Sequence, residues 1–299
     1  MQYRKYIRYG GKCGQLHEGN RQAIQMYNLN RGLSELAVDY PPSSVAGRVR
    51  FEWIEEAWRC YRAAPGVWIL TVTVAGLINF AVFIACNIAF GLWSHISVVL
   101  QIVLRSLSSG DTSSAVSALA PLDSLNRLPG YWATQLVGLV VAAYLYAGLQ
   151  RMANDQVRGK QISSAMMFSG GVVFDQYLIY TLIASIVDYV NMATPNDSLV
   201  SHVLGFVGVL VYILVVPGYA MVADGVAAIP AIRASAIAAW RNLPMGIAFY
   251  LVFLAIVGIS AIPCGLGLTV TTPMITIIFS LAYRDLIGMR SQSDVAPDR

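Results

Sequence analysis

Charge is scarce in this chain. Of 299 residues only 12% are charged, against about 25% in soluble domains. Apolar residues make up 57%, and the mean hydropathy is +0.59. That shortage rules out water as the solvent for most side chains and points to a bilayer. Cysteine is also sparse: Cys13, Cys60, Cys86 and Cys264 are scattered without paired spacing. Structural disulfides are therefore not expected, and Cys86 and Cys264 read as small membrane-embedded hydrophobes. The strings HExxH, GxSxG, CxxC, GxxxxGK[ST] and GxGxxG do not occur, so the local signatures of zinc proteases, α/β-hydrolases, thiol redox sites and nucleotide loops are missing. Gly10-Gly11-Lys12-Cys13-Gly14 lacks both the spacing and the Ser/Thr of a phosphate loop. The basic start, MQYRKYIRYGGKCG, is followed by no apolar h-region, and a cleaved signal peptide is not expected. No catalytic residue, metal site or cofactor is expected, and a basic tail beside a membrane does not make a nucleic-acid-binding protein.

Long uncharged runs are what the chain has instead. Asn242 to Tyr283 is 42 residues without a charge, between Arg241 and Arg284. A membrane-spanning helix needs about 20 apolar residues, so this run holds two spans. They are split near Ala261-Ile262-Pro263-Cys264-Gly265, where Pro and Gly supply a turn. Upstream, spans are expected at Val67 to Trp93, Tyr131 to Leu149, Val172 to Met192 and Leu199 to Val216. The fold class is all-α, a polytopic membrane bundle of about six spans with interfacial amphipathic helices. It occupies residues 50–290, between a basic, Tyr-rich tail (1–49) and a short tail (291–299).

Arg50 to Ala64 is the clearest amphipathic segment. Phe51, Ile54, Trp58 and Tyr61 recur at helical spacing, and Glu55 and Arg59 form an i,i+4 pair. Such a helix lies in the interface plane or covers a bundle. Ser94 to Leu107 is apolar but short, and reads as interfacial or re-entrant. Ile162 to Phe168 is a short amphipathic piece that ends at Gly170-Gly171. Pro217-Gly218 is expected to break the chain, with Tyr219 to Ala239 returning along the interface. The pattern of interfacial helix, break and hairpin therefore occurs three times, marked by Tyr61-Arg62-Ala63-Ala64-Pro65, Phe168-Ser169-Gly170-Gly171 and Trp240-Arg241-Asn242-Leu243-Pro244. That weak repeat suggests three stacked units.

With six spans, all but two of the 20 Lys and Arg fall on one side; Arg105 and Arg127 face the other. By the positive-inside rule the basic side, with both termini, is cytoplasmic.

A few polar residues within the apolar region are candidates for function. Asp175 and Asp188 are 13 residues apart in the third span, about 20 Å of helix. One carboxylate is thus expected below the headgroups, where such groups are costly and often functional. The plainer alternative is a short tilted span with Asp175 paired to Arg233, Arg241 or Arg284. Asp224, Arg284 and Asp285 are further polar positions, structural or functional. His95 and His202 fall on the non-cytoplasmic side; each could ligate a haem or pigment or simply hydrogen-bond at the interface. Asn196-Asp197-Ser198 fits a glycosylation sequon on that side, relevant only in a eukaryotic secretory membrane.

The terminal region resembles a known group. Val216-Pro217-Gly218-Tyr219, Ala234-Ser235-Ala236, Trp240, Gly265-Leu266-Gly267, Thr272-Pro273 and Tyr283-Arg284-Asp285-Leu286 carry the likeness. They resemble a broad group of uncharacterised bacterial six-helix membrane proteins, including the membrane domain fused to some glycerophosphodiester phosphodiesterases. Glu55-Glu56-Ala57-Trp58…Pro65-Gly66 and Gly159…Phe168-Ser169-Gly170 resemble the group's other two entries. The resemblance implies a fold and an inner-membrane location over residues 50–290, and no activity, since no phosphodiesterase catalytic domain is present.

The resulting expectation is a non-catalytic accessory or scaffold subunit of a larger membrane complex, in contact with membrane lipids and membrane-protein partners. The five tyrosines of the tail (Tyr3, Tyr6, Tyr9, Tyr27, Tyr40) and its positive charge suit docking to such partners. The alternative is a transporter of a lipid or small molecule, in which Asp175, the Pro217-Gly218 break and the repeat would matter. Small residues at Ala75-Gly76, Gly205 and Gly208 would let helices approach closely.

Overall fold

Pro65 opens the first long helix because its fixed φ suits a first helical turn and its missing N–H has no partner to lose there. The helix, α2, spans Pro65–Ala89, and α1, Glu52–Ala63, precedes it. A computed structural model of the chain describes residues 48–93, 97, 101, 128–194, 198–261 and 267–289. The tails, His95, most of the segment 94–107 and the turn between the last two spans lie outside the described residues. After α2 come α3 (Pro129–Val157) and a 3-10 segment (Ser164–Val172). Then follow α4 (Phe174–Ala193), α5 (Leu199–Ala223) and α6 (Ala228–Arg241). Last come α7 (Leu243–Ala261) and α8 (Leu268–Tyr283), continued by a single π-helical turn, Arg284–Gly288.

Among the described residues there is no strand. Five helices are long and apolar enough to cross a membrane: α2, α3, α5, α7 and α8 with its π turn. The 3-10 segment and α4 meet at 87° and make a sixth if counted as one broken span. The protein is a polytopic helical membrane bundle. In lipid a helix satisfies its own backbone groups, which is why uncharged runs of this length adopt no other form.

The three repeated units close into a ring. The second spans, α3, α5 and α8, pack on one another and form the inner layer. Each first span packs against its own second span and that of the preceding unit: α2 on α3 and α8, α4 on α5 and α3, α7 on α8 and α5. Each interfacial element lies on the second span of the preceding unit: α1 on α8, the 3-10 segment on α3, α6 on α5. The expectation of three stacked units is thus replaced by a cyclic order in which the last unit meets the first. Each inner helix also leads to a glycine of positive φ: Gly159 at 77°, Gly225 at 89° and Gly288 at 92°. Only glycine takes that backbone without strain.

Four local expectations change. Pro217-Gly218 does not break the chain; Pro217 lies inside α5, which continues to Ala223. Pro217 has no N–H for the carbonyl four residues back, and neighbouring carbonyls find outside donors. The Ser235 hydroxyl donates to Leu214 O at 2.7 Å, and the Tyr180 hydroxyl donates to Val215 O. Gly170-Gly171 does not end the short piece before α4; the 3-10 helix runs through both. On α1 the inward face is Trp53, Ala57 and Tyr61, whereas Phe51 and Trp58 are about two-fifths exposed. Tyr61 is shared with the expected stripe, but Trp53 and Ala57 turn inward one position away from Ile54 and Trp58, because the π turn after α8 offers Trp53 a hydrogen-bond acceptor in Asp285. Finally, Gly76 has open space around its Cα, while the closest backbone approaches are at Gly148 and Gly170.

Candidate functional site

Polar side chains gather where the inner helices meet, at the end of the bundle that carries most of the basic residues. Gln150 and Asn154 lie one turn apart on α3, as Thr276 and Ser280 do on α8, so each pair faces one direction. All four are buried. Gln150 donates from Nε2 to Thr276 O at 3.1 Å and to Ser280 Oγ at 2.8 Å. Ser280 Oγ donates to Asn154 Oδ1 at 2.7 Å. Asn154 Nδ2 in turn donates to Ala220 O at 2.8 Å and to Asp224 Oδ1 at 3.2 Å. The chain of bonds therefore crosses all three inner helices near their common axis.

Asp224 ends this chain as the C-cap residue of α5. Arg158 donates to it with both terminal nitrogens, Nη1 to Oδ1 at 2.9 Å and Nη2 to Oδ2. Burial opposes the Arg158 charge, but the bonds to Asp224, together with the nearby Asp224 and Asp155 charges, raise its proton affinity above the ordinary value. Asp155 stands beside the pair and accepts from Lys160 Nζ at 2.8 Å. These groups satisfy one another except at Arg158 Nε, which is buried without a hydrogen-bond partner among the described residues.

A second cluster joins α1 to the end of α8. Arg284 donates to both oxygens of Glu56, at 2.6 and 3.0 Å, and from Nε to Asp285 Oδ1 at 2.7 Å. Trp53 Nε1 donates to Asp285 Oδ2 at 2.8 Å. The Arg284 bonds hold the Glu56 carboxyl below the ordinary carboxylate range, against the opposing effect of burial. Trp68 Nε1 donates to Gln156 Oε1 and Gln156 Nε2 to Cys60 O, both at 2.8 Å, which ties α1, α2 and α3 together. Burial, then the nearby Glu56 charge, push the Cys60 thiol up, so it is a poor nucleophile.

The remaining sequence candidates are not brought into these clusters. Asp175 is exposed in the first turn of α4 and accepts from its neighbour Gln176 at 3.2 Å. Arg284 is engaged by Glu56 and Asp285, and no Arg233, Arg241 or Arg284 pairing with Asp175 is found among the described residues. Asp188 is also exposed, with its Oδ1 against Gly208 of α5. Gly208 thus permits a close α4–α5 contact, as its size suggested. His202 is in the first turn of α5, its Nδ1 2.9 Å from Ser198 O. His95 lies outside the described residues. Among the described residues no group of three His, Cys, Asp or Glu could hold a metal ion.

One cavity stands out for its position. An apolar cleft of about 590 Å³, counted to its open side, separates α7 from α5 and α8. Tyr212, Val216 and Pro217 of α5, Phe249, Tyr250 and Phe253 of α7, and Ile278, Phe279 and Ala282 of α8 line it. Val49, Trp53, Ala239, Gly246 and Leu286 lie towards the basic end of the same cleft. It exists because α7 is packed far more loosely than α2 and α4, which hold the equivalent places in the ring. No residue of Leu243–Ser260 is buried. Sequence reasoning missed the cleft, since a uniformly apolar helix carries no periodicity to say which side is covered. No protein-family model, curated protein or solved structure matches this chain.

Proposed function

We propose that this protein is a non-catalytic accessory or scaffold subunit of a larger complex in the bacterial inner membrane. The observation that carries this reading is the division of polar and apolar surface. The buried Gln150, Asn154 and Ser280 and the half-buried Asp224 and Arg158 are used on one another, while the cleft among the spans is apolar. A carrier of polar solutes needs polar groups turned towards a midplane cavity. A subunit that holds others needs a firm interior and apolar flanks. The basic, Tyr-rich tail is the proposed contact with membrane-protein partners, and the bundle surface the contact with lipid.

The proposed orientation places both termini and the loops at Arg158 and Arg233 in the cytoplasm, because Lys and Arg crowd that side. Reporter fusions after Gly159 and Arg299 should report cytoplasm, and one after Asp197 the opposite side. The functional test is native purification in mild detergent of the full chain and of a chain lacking residues 1–49. The full chain should migrate as a larger assembly with defined partners, and the shortened chain should insert normally yet lose them at moderate salt. Equal migration of the two as single subunits would reject the reading. A lipid or small-molecule transporter remains the second reading, favoured by the 87° bend before α4, and flux into vesicles reconstituted with the protein would decide for it.

A further inference from the structure

The ring leaves one of its three equivalent places incompletely filled. α2 and α4 fit closely against the inner layer, whereas α7 stands away from α5 and α8 over the apolar cleft. In a bilayer such a space is filled by lipid or by another chain. From Gly246 to Phe253 the α7 wall runs about 10 Å along the helix axis, from the basic end into the apolar region. The 590 Å³ includes the open side of the cleft, and a helix is about 10–12 Å across, so barely one helical turn would fill even the whole open space. A transmembrane helix is therefore too wide to seat along it, but a single hydrocarbon chain is not. The wall narrows at one point: Tyr212 and Tyr250 meet across the cleft with tilted rings, centres 5.7 Å apart, so a narrow flexible guest lies beside this pair, against Phe249, Phe253 and Ile278.

The basic end of the cleft supplies a charge match. Val49 lines it between Arg48 and Arg50, and Ala239 lines it two residues before Arg241. All three arginines are exposed. Arg50 is shared with Glu52 and Asp285 at 3.6 Å, but Arg48 and Arg241 have no ion pair among the described residues. Trp240, two-thirds exposed, stands beside Arg241, the placement of an aromatic side chain at headgroup level.

We infer that the α7 cleft is a binding site for a phospholipid of the surrounding bilayer, with one acyl chain along Phe249, Phe253 and Ile278 and an anionic headgroup near Arg48 and Arg241. The lipid completes the third place in the ring. This goes beyond the scaffold reading and stands apart from it, since it concerns lipid and not protein partners.

The test uses the full-length protein, stripped of lipid in detergent and returned to nanodiscs of mixed phosphatidylglycerol and phosphatidylcholine. Native mass spectrometry after gentle release should show a retained phospholipid, with phosphatidylglycerol preferred. Gly246→Phe should reduce retention about tenfold, as losing one well-buried contact group does, because a side chain there projects towards Ile213, 3.2 Å from the first added carbon. Should that variant fail to fold, the double variant Arg48→Gln, Arg241→Gln keeps the question open to measurement. It changes only exposed groups and should abolish the preference for phosphatidylglycerol. A photoreactive residue at Phe253 should attach to phospholipid that survives delipidation, whereas one at Leu251, on the exposed side of α7, should not. Absence of retained lipid, an unchanged preference in the double variant, or attachment from Phe253 to a protein chain or to residues 1–47 would overturn the proposal. None of these outcomes touches the partner test, which reads migration and not lipid.

Discussion

Gly148 of α3 lies directly against the carbonyl of Met167, and a methyl group at position 148 would overlap it and come within 2.9 Å of the Met167 Cα. Gly170 stands in the same relation to the Tyr144 carbonyl, one turn earlier on α3. The crossing of the 3-10 segment over α3 is therefore backbone on backbone. Tyr144 Oη donates to Phe168 O at 2.8 Å and Arg151 Nη1 to Ser169 O at 2.9 Å. These bonds occupy carbonyls that a 3-10 helix leaves poorly satisfied.

Gly148→Ala and Gly170→Ala should each destabilise the fold by about 1–3 kcal/mol or more, the usual cost of overpacking. The neighbouring atoms are backbone and cannot rotate aside. Gly76→Ala should be neutral or slightly stabilising, since nothing lies within 4 Å of its added carbon and alanine favours a helix by about 1 kcal/mol. Thermal melting of the three purified variants, followed by size-exclusion chromatography, gives the comparison.

Arg158→Met should be strongly destabilising, on the order of 3 kcal/mol, because it leaves the Asp224 carboxylate largely buried without its counter-charge. Arg158→Met combined with Asp224→Leu should recover part of that loss, since removing both charges avoids the unpaired one. A double variant no more stable than the single one would show that Asp224 is held by Asn154 alone.

The α1–α8 contact should weaken in acid. An unfolded glutamate titrates near about 4.3, and Arg284 holds Glu56 below its ordinary value. The folded carboxylate thus binds its proton later than the unfolded one, so its contribution is complete above the unfolded value and is lost as pH falls through the folded value. Melting temperatures of the wild type and Glu56→Gln should differ at about pH 6 and converge towards about pH 3. A gap that persists in acid would mean the variant acts through packing.

Asp175→Asn and Asp175→Leu should both fold. A pairing with Arg233, Arg241 or Arg284 would make leucine costly, but Asp175 is exposed and bonds only to Gln176 among the described contacts. Its remaining role is a negative charge in the first turn of α4, worth about 0.3–1 kcal/mol. Expression and monodispersity of both variants check this.

Some of the candidate site is legible in the amino-acid sequence. Gln150 and Asn154 sit among Arg151, Asp155 and Gln156, past the expected end of the second span at Leu149, but Thr276 with Ser280 is a polar pair one helical turn apart in an otherwise apolar helix. That pattern predicts an inward polar stripe in a membrane helix. Their attachment to each other, and to Asp224 and Arg158, is not legible there, because the partners are separated by as many as 130 residues. The inward face of α1 differs from the expected one for a related reason. Phe51 and Trp58 fit the apolar spacing as well as Trp53 does, but Trp53 is the residue whose indole N–H reaches Asp285.

The sequence by itself determined the solvent of this protein, the approximate ends of its spans and the threefold recurrence of its units. Each of those depends on local hydropathy and on backbone groups that lipid will not satisfy. Tertiary structure alone decided that the units close into a ring and that α3, α5 and α8 stand inside. It also decided that Pro217 is absorbed within a helix and that α7 stands off from its place. Those outcomes depend on which distant surfaces fit. In a bilayer, where lipid tails are as apolar as the helices, that choice falls to packing and hydrogen bonds between helices, which no single segment encodes.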